Sequence, residues 1–226
     1  THSLTKYASG HGDVMGGAVV GRAELIEPLR DDFSILGPTL DPHAAFLILR
    51  GLKTYFLRWD AQCANAQRVA EFLATRRQVC RVRYPGLPGD PGHALASAQM
   101  EGFGTLVTFD LAAGLEAGTR FAESLALFSI TASLGSTESL VVAPAMQQPR
   151  GFTTEQAVWT DSGPGTVRLS IGIEDPDDLV ADLMARGQNV VCVGDGALRY
   201  REQISAGFHC DFAEQFLSHP SAAPLV

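Results

Sequence analysis

Ser3-Leu4-Thr5-Lys6-Tyr7-Ala8-Ser9-Gly10-His11-Gly12-Asp13, closed by the pair Gly16-Gly17, is the stretch on which the fold turns. Glycines and small hydroxyl residues at this density make a loop for close approach, not a core strand. The amine in it is Lys6. An amine held in an apolar, desolvated pocket loses its proton more readily and can condense with an aldehyde to a Schiff base. The natural aldehyde for such a lysine is pyridoxal phosphate. In an extended segment Ser3 and Thr5 share a face, so both hydroxyls can donate to a phosphate while Lys6 points elsewhere. An exposed lysine in a polar loop is the plain alternative, and the motif alone leaves both open.

Three further stretches bear on the choice: Arg50-Gly51-Leu52-Lys53-Thr54, Ser133-Leu134-Gly135 with Glu138-Ser139-Leu140, and Val167-Arg168-Leu169-Ser170-Ile171-Gly172-Ile173-Glu174. Together with the lysine segment, and in the same order, they resemble the signature blocks of the Cys/Met-metabolism family of pyridoxal-phosphate enzymes. That family includes cystathionine γ-synthase, cystathionine γ-lyase, methionine γ-lyase and the homoserine-ester sulfhydrylases. The resemblance implies an α/β chain of fold type I. Residues 1–54 would be the end of the large cofactor-binding domain, 55–184 a long linking helix and a small carboxy-terminal α/β domain, and 185–226 an appended tail.

The same resemblance assigns roles. Lys6 would carry the cofactor, with Ser3 and Thr5 on its phosphate. Ser133 and Leu134 would contact substrate, Ser133 also fixing the lysine, and Arg168 would hold the substrate α-carboxylate. The implied activity is γ-elimination or γ-replacement on sulfur amino acids or homoserine esters. Cystathionine γ-synthase or γ-lyase chemistry is preferred, with methionine γ-lyase and sulfhydrylase chemistry as alternatives. The implied assembly is a homo-oligomer, a tetramer built as a dimer of dimers. In the family roughly half the enzyme precedes the cofactor lysine, so the chain reads as amino-terminally truncated. The partner of the pyridine nitrogen, the stacking aromatic and the phosphate loop would lie in that half, and a non-catalytic remnant is the competing reading.

Read as residues, Arg168 lies on an apolar strand, where a charge must find a partner or carry a large desolvation cost. A planar guanidinium suits a two-pronged grip on a carboxylate; a salt bridge to Glu174 or Asp175 is the structural alternative. Ser133 is otherwise an ordinary turn residue. Tyr7 reads as packing and His11 as a hydrogen-bonded loop histidine. Arg50, Lys53 and Arg58 read as a polar helix face, and Cys63 and Cys80 as core. Two departures from the family pattern touch the distal substrate group: Ala132 stands where some cystathionine-cleaving relatives place glutamate. In addition, Gln147-Gln148-Pro149-Arg150 replaces a threonine-histidine-alanine-serine stretch.

Composition narrows the class. With 46% apolar and 19% charged residues, the 226-residue chain can bury a sizeable core. A net charge of −8 with no basic stripe argues against nucleic acid. Cys63, Cys80, Cys192 and Cys210 have neither C-x-x-C pairing nor metal-ligand spacing with the six histidines. Reduced thiols, no membrane-length apolar run and no signal peptide point to a soluble cytoplasmic protein without a metal.

Periodicity predicts a strand over 18–21, helices over 22–36 and from Asp41 (N-cap) through Leu52, and a long helix over 55–73. The long helix would carry Phe56, Trp59, Cys63, Ala66, Val69, Ala70 and Leu73 on its inner stripe. Strands follow at 79–84, 105–111, 128–132 and 166–173, with helices at 93–99, 118–127 and about 177–183. The tail breaks the pattern. Residues 188–201 and His219-Pro220-Ser221-Ala222-Ala223 resemble a fragment of the bacterial partner subunit of the tRNA threonylcarbamoyladenosine machinery. Val190 to Val193 is apolar enough for a strand, either a passive appendage or an addition to the small domain's sheet.

Overall fold

The polar, glycine-rich opening folds as a tight hairpin. In the computed structural model, which describes residues 1–143, 163–184, 190–192 and 210–212, β1 (His2–Ser3) pairs antiparallel with β2 (Gly17–Ala18). Between them Leu4–Ala8 winds one wide helical turn, broken at Lys6 (φ −91°, ψ −123°). The expectation of an extended lysine segment is thereby corrected. The reason lies in Thr5, whose hydroxyl donates to the Gly16 carbonyl (3.2 Å) and accepts from the Gly16 amide (2.9 Å), pulling the chain into a turn. The strand expected over 18–21 shrinks to Gly17–Ala18, leaving Val19 and Val20 exposed.

Helix α1 (Ala23–Leu36) ends at Gly37, whose φ of 73° terminates it in the left-handed conformation. Helix α2 (Pro42–Leu52) starts as read: the Asp41 carboxylate accepts from the amides of His43 (2.9 Å) and Ala44 (3.1 Å). It buries only Ile48 and Gly51. Gly51 is the point of closest approach, because a Cβ there would lie 2.2 Å from the Ser9 carbonyl oxygen and 2.8 Å from that of Ala8. Gly51→Ala should therefore destabilise the chain by about 1–3 kcal/mol through overpacking. Denaturant melting checks this, and an unchanged midpoint would mean that the lysine turn yields freely.

Helix α3 (Tyr55–Ala74) is as long as read, but its inner face is rotated. Ala66, Val69, Ala70 and Leu73 are buried as expected; Phe56 is exposed, and Trp59 and Cys63 are only half-buried. In their place Arg58, Gln62 and Asn65 turn inward. Polar groups tolerate that position because carbonyls await them there.

The main sheet has five strands in the order β3-β4-β7-β6-β5: β3 (Val79–Arg83), β4 (Leu106–Leu111), β5 (Ser129–Ile130), β6 (Leu140–Val142) and β7 (Thr166–Ser170). All pairings are antiparallel except β5 with β6. Val107, Phe109, Val141, Val167 and Leu169 are fully buried on the three inner strands. Cys80 is exposed rather than core, since β3 is an edge strand. Helix α4 (His93–Gln99) falls where read, while α5 (Gly114–Ser124) begins earlier than the expected Gly118, directly at Gly114 with φ of 74°. The strand expected over 128–132 is limited to β5, β7 stops at Ser170, and α6 spans Pro176–Met184.

Thr1–Leu179 forms one unit and Val180–Val226 a second. In the second, β8 (Val190–Cys192) pairs in parallel with β9 (Cys210–Phe212), with Val190 opposite Cys210. The expected strand at Val190 thus exists, with a partner from the tail itself. The rest of the two tail stretches that carry the second resemblance lies outside the described residues.

Candidate active site

The break in the turn at Lys6 lets its side chain leave the hairpin, and its Nζ donates to Ser133 Oγ at 3.0 Å across 127 residues of sequence. That partner is a neutral hydroxyl. Among the described residues no carboxylate pairs with Lys6.

Ser133 sits in a loop that leads into β6, and the loop is pinned at both ends. Gly135 (φ 80°) comes so close to the lysine turn that a Cβ there would lie 2.8 Å from the Tyr7 amide nitrogen. Its own amide donates to Ser170 Oγ (3.0 Å) at the end of β7. The Thr137 amide donates to the Gly10 carbonyl (2.9 Å), and the Ile173 amide to the Thr137 carbonyl (2.9 Å). Lysine turn, Ser133 loop and β7 end are one hydrogen-bonded assembly, which brings together three of the four sequence blocks.

Arg168 on β7 lies opposite Thr108 of β4 and Val142 of β6. Its Nη2 donates to the Ser133 carbonyl at 3.1 Å, while its Nε is buried without a partner among the described residues. The salt-bridge alternative is not adopted: the Glu174 carboxylate accepts from the Ser139 amide (2.6 Å) and hydroxyl (2.9 Å), and the Asp175 carboxylate from the Asp177 amide (2.8 Å). A buried donor left unbonded costs about 1–3 kcal/mol. Here it stands on a cation that shares Ser133 with the Lys6 amine, so an anionic ligand carrying a carbonyl suits this donor set.

The remaining candidates divide. Thr5 and Ser3 flank Lys6, but Thr5 spends its proton on Gly16 and Ser3 is exposed in the hairpin. Leu134 is half-buried beside Ser133, and Ala132 is exposed. Tyr7 bonds Thr105 Oγ1 (2.7 Å) and meets Trp59 edge-on at 5.2 Å. Burial pushes the Tyr7 hydroxyl above its ordinary pKa, which keeps it neutral and fits packing. His11 Nδ1 bonds the Ser9 carbonyl (2.5 Å), the loop role read for it. Gln147 to Arg150 lie outside the described residues.

Sequence reasoning missed Arg58. Its Nη1 donates to the Tyr7 carbonyl (3.0 Å) and its Nη2 to those of Gly51 (2.8 Å) and Ala8 (3.4 Å), while its Nε donates to Thr54 Oγ1 (3.1 Å). Burial draws its pKa down from the ordinary value, though arginine stays charged. One signal could have found it: Arg58, Gln62 and Asn65 recur at i, i+4 and i+7, a helical period of polar residues beside an apolar one.

The family described as Cys/Met metabolism PLP-dependent enzyme matches residues 1–186. The L-methionine gamma-lyase of Pseudomonas putida is 46% identical over 184 residues, covering 80% of this chain and 46% of that protein. The O-succinylhomoserine sulfhydrylase of Pseudomonas aeruginosa is 41% identical over 186 residues, 82% of this chain and 46% of that one. A solved cystathionine gamma synthase from Xanthomonas oryzae, in complex with cystathionine, superposes with a TM-score of 0.77 at 44% identity, over 81% of this chain and 48% of its own. The chain spans about half the length of the curated relatives it matches. On the match over residues 1–186, the chain belongs to the Cys/Met metabolism family of pyridoxal-phosphate-dependent enzymes.

Proposed function

We propose that this chain carries the lysine, the carboxylate grip and the proton-transfer group of an enzyme for γ-elimination or γ-replacement on sulfur amino acids or homoserine esters. The observation that supports it most is the pair of hydrogen bonds converging on Ser133, from Lys6 Nζ to its hydroxyl and from Arg168 Nη2 to its carbonyl. Pyridoxal phosphate, when bound, supplies the electron sink for negative charge developing at the substrate's Cα and Cβ.

The chain's own groups do the rest. Arg168 offers its unused Nε and one Nη to the α-carboxylate, fixing Cα beside Lys6. The Lys6 amine would take the proton from Cα, pass it on to the bound cofactor and, neutral again, take a second proton from Cβ; the group on Cγ would then leave with the bonding pair, and the Lys6 ammonium would be its proton source. In replacement an incoming thiol adds at Cγ; in elimination it does not. Ser133 holds the amine on the line between these carbons. Ser3 and Thr5 belong to the phosphate side of the lysine in this reading, with Leu134 lining the substrate. Ala132, at an exposed position, offers no carboxylate of its own to the distal ammonium of cystathionine.

The chain has two lysines, Lys6 and the exposed Lys53, and this makes a clean test. Borohydride trapping of added pyridoxal phosphate should label Lys6 well above Lys53, with both read by peptide mass. Equal labelling of the two overturns the cofactor assignment.

The wider readings rest on the family resemblance. A homo-oligomer of the family type and a cytoplasmic location are proposed with the activity; no helix of the described residues is long and apolar enough to cross a membrane. The domains are proposed to divide after residues 54 and 184, and residues from Gly187 on to form an appended segment, akin to a piece of the tRNA-modification subunit and without its own activity. The in-tail pairing of β8 with β9 supports this. A chain stopped at Met184 should melt as the full chain does. A loss of several kcal/mol, a large share of a typical 5–15 kcal/mol domain stability, would make the tail part of the core.

A further inference from the structure

Three buried polar residues on α3 remain without a place in the chemistry above. Arg58, Gln62 and Asn65 follow one another at helical spacing on the inward face of a helix whose remaining inward residues are apolar. Each donates to main-chain carbonyls, and to carbonyls of different segments. Arg58 holds Tyr7 and Ala8 of the lysine turn together with Gly51 of α2. Gln62 Nε2 holds Ser136 of the Ser133 loop (2.6 Å) and Ile171 beyond β7 (3.1 Å). Asn65 Nδ2 holds Gly172 (3.2 Å) and Glu174 (2.8 Å).

An apolar helix face would have filled the same volume and would have taken these donors from the carbonyls, of which that of Gly51 alone keeps another partner among the described residues, Thr54. Donors fix something that apolar packing does not: the distance along one rigid rod between the lysine turn, the Ser133 loop and the strand bearing Arg168. The rise per residue of an α-helix is about 1.5 Å and does not vary with side-chain repacking. The fit at the first rung is close. A Cβ at Gly10 would sit 1.9 Å from Arg58 Nη1, so the guanidinium occupies the side-chain space of residue 10.

We infer that Arg58 and Gln62 are positioning residues, which set the register of the Lys6 amine against Ser133 and Arg168 by gripping the carbonyls that follow or flank each. Neither touches a reacting atom. Arg58 acts on Lys6 through Tyr7 and Ala8, the next two residues of the turn, and Gln62 acts on Ser133 through Ser136. Asn65 extends the same grip to the far end of the strand. The inference rests on the proposed role of Lys6, and its test is built so that the two can fail separately.

Arg58→Ala, Arg58→Lys and Gln62→Met are made in the full 226-residue chain and compared by circular dichroism and melting. Two readouts follow. Amide hydrogen exchange of Gly10 and Thr137, which hydrogen-bond Lys6 and Gly10 carbonyls, uses no cofactor. Borohydride trapping of pyridoxal phosphate gives the Lys6-to-Lys53 labelling ratio. In a folded Arg58→Ala chain the ratio should fall by about ten- to a hundredfold, the scale of a roughly 1 Å misplacement. Exchange at both amides should quicken, and millimolar methylguanidinium should restore part of both. Arg58→Lys should fall between, and Gln62→Met should quicken Thr137 more than Gly10. Unchanged exchange and ratio in folded Arg58→Ala would overturn the inference, as would a loss that methylguanidinium leaves untouched. Should Arg58→Ala not fold, Arg58→Lys and Gln62→Met decide by the same readouts. Wild-type chain that fails to favour Lys6 over Lys53 removes the cofactor reading, while exchange still judges the helix.

Discussion

Lys6→Ala is expected to lower turnover of γ-substituted amino acids by roughly 10²–10⁴-fold from the lost proton transfer alone. The effect is chemical, not structural. Lys6 is half-buried, an alanine carries the same Cβ on the same backbone and so meets its unusual angles no worse than lysine does, and its one side-chain hydrogen bond among the described residues is to a hydroxyl that can turn to another acceptor. The variant should therefore melt close to the parent chain. Small primary amines added to it should restore part of the rate, because they supply the missing base without its tether. Turnover equal to that of the parent would remove Lys6 from the reaction, whatever its labelling behaviour.

The second large effect is expected at Arg168. Arg168→Lys should weaken binding of the amino-acid substrate by about 2–5 kcal/mol while leaving the trapping of pyridoxal phosphate at Lys6 nearly unchanged. The argument is geometric. Arg168 already spends Nη2 on the Ser133 carbonyl, and its buried Nε has no hydrogen-bond partner among the described residues. A lysine ammonium can replace one of these donors but not the planar pair. Substrate affinity unaltered by the substitution would return Arg168 to the sheet as a structural residue.

How legible was all this in the sequence? The resemblance of the four ordered blocks singled out Lys6, Ser133 and Arg168; of the three only Arg168, a charge on an apolar strand, stands out by its own setting, whereas Ser133 reads as a turn residue and Lys6 equally as a loop lysine. Helix α3 was legible in length and wrong in phase at its start: Phe56 reads as inward only if apolar side chains alone seek the interior. The carbonyls of the lysine turn, of Ser136 and of Ile171 called for donors instead, and a demand raised by distant segments leaves no local trace in the helix that meets it. The extended reading around Lys6 failed for a related reason. The partner of Thr5 is Gly16, eleven residues on, and the alternation of Ser3 and Thr5 carries no hint of it. The edge position of β3, which exposes Cys80, is likewise a property of strand order.

Strand order has one more consequence, for the birth of the molecule. β7 lies third of the five strands, between β4 and β6, yet it is the last of them to leave the ribosome. Without Thr166–Ser170 the pairings left in the sheet are β3 with β4 and β5 with β6, two ribbons with no strand between them and an open edge on β4 and on β6. The strand that joins the two halves also brings Arg168. Closure of the sheet and arrival of Arg168 are thus a single late event, delayed further by the long sequence separation between its partners. Pauses in translation ahead of residue 166 would prolong a state prone to self-association and leave the completed protein unaltered.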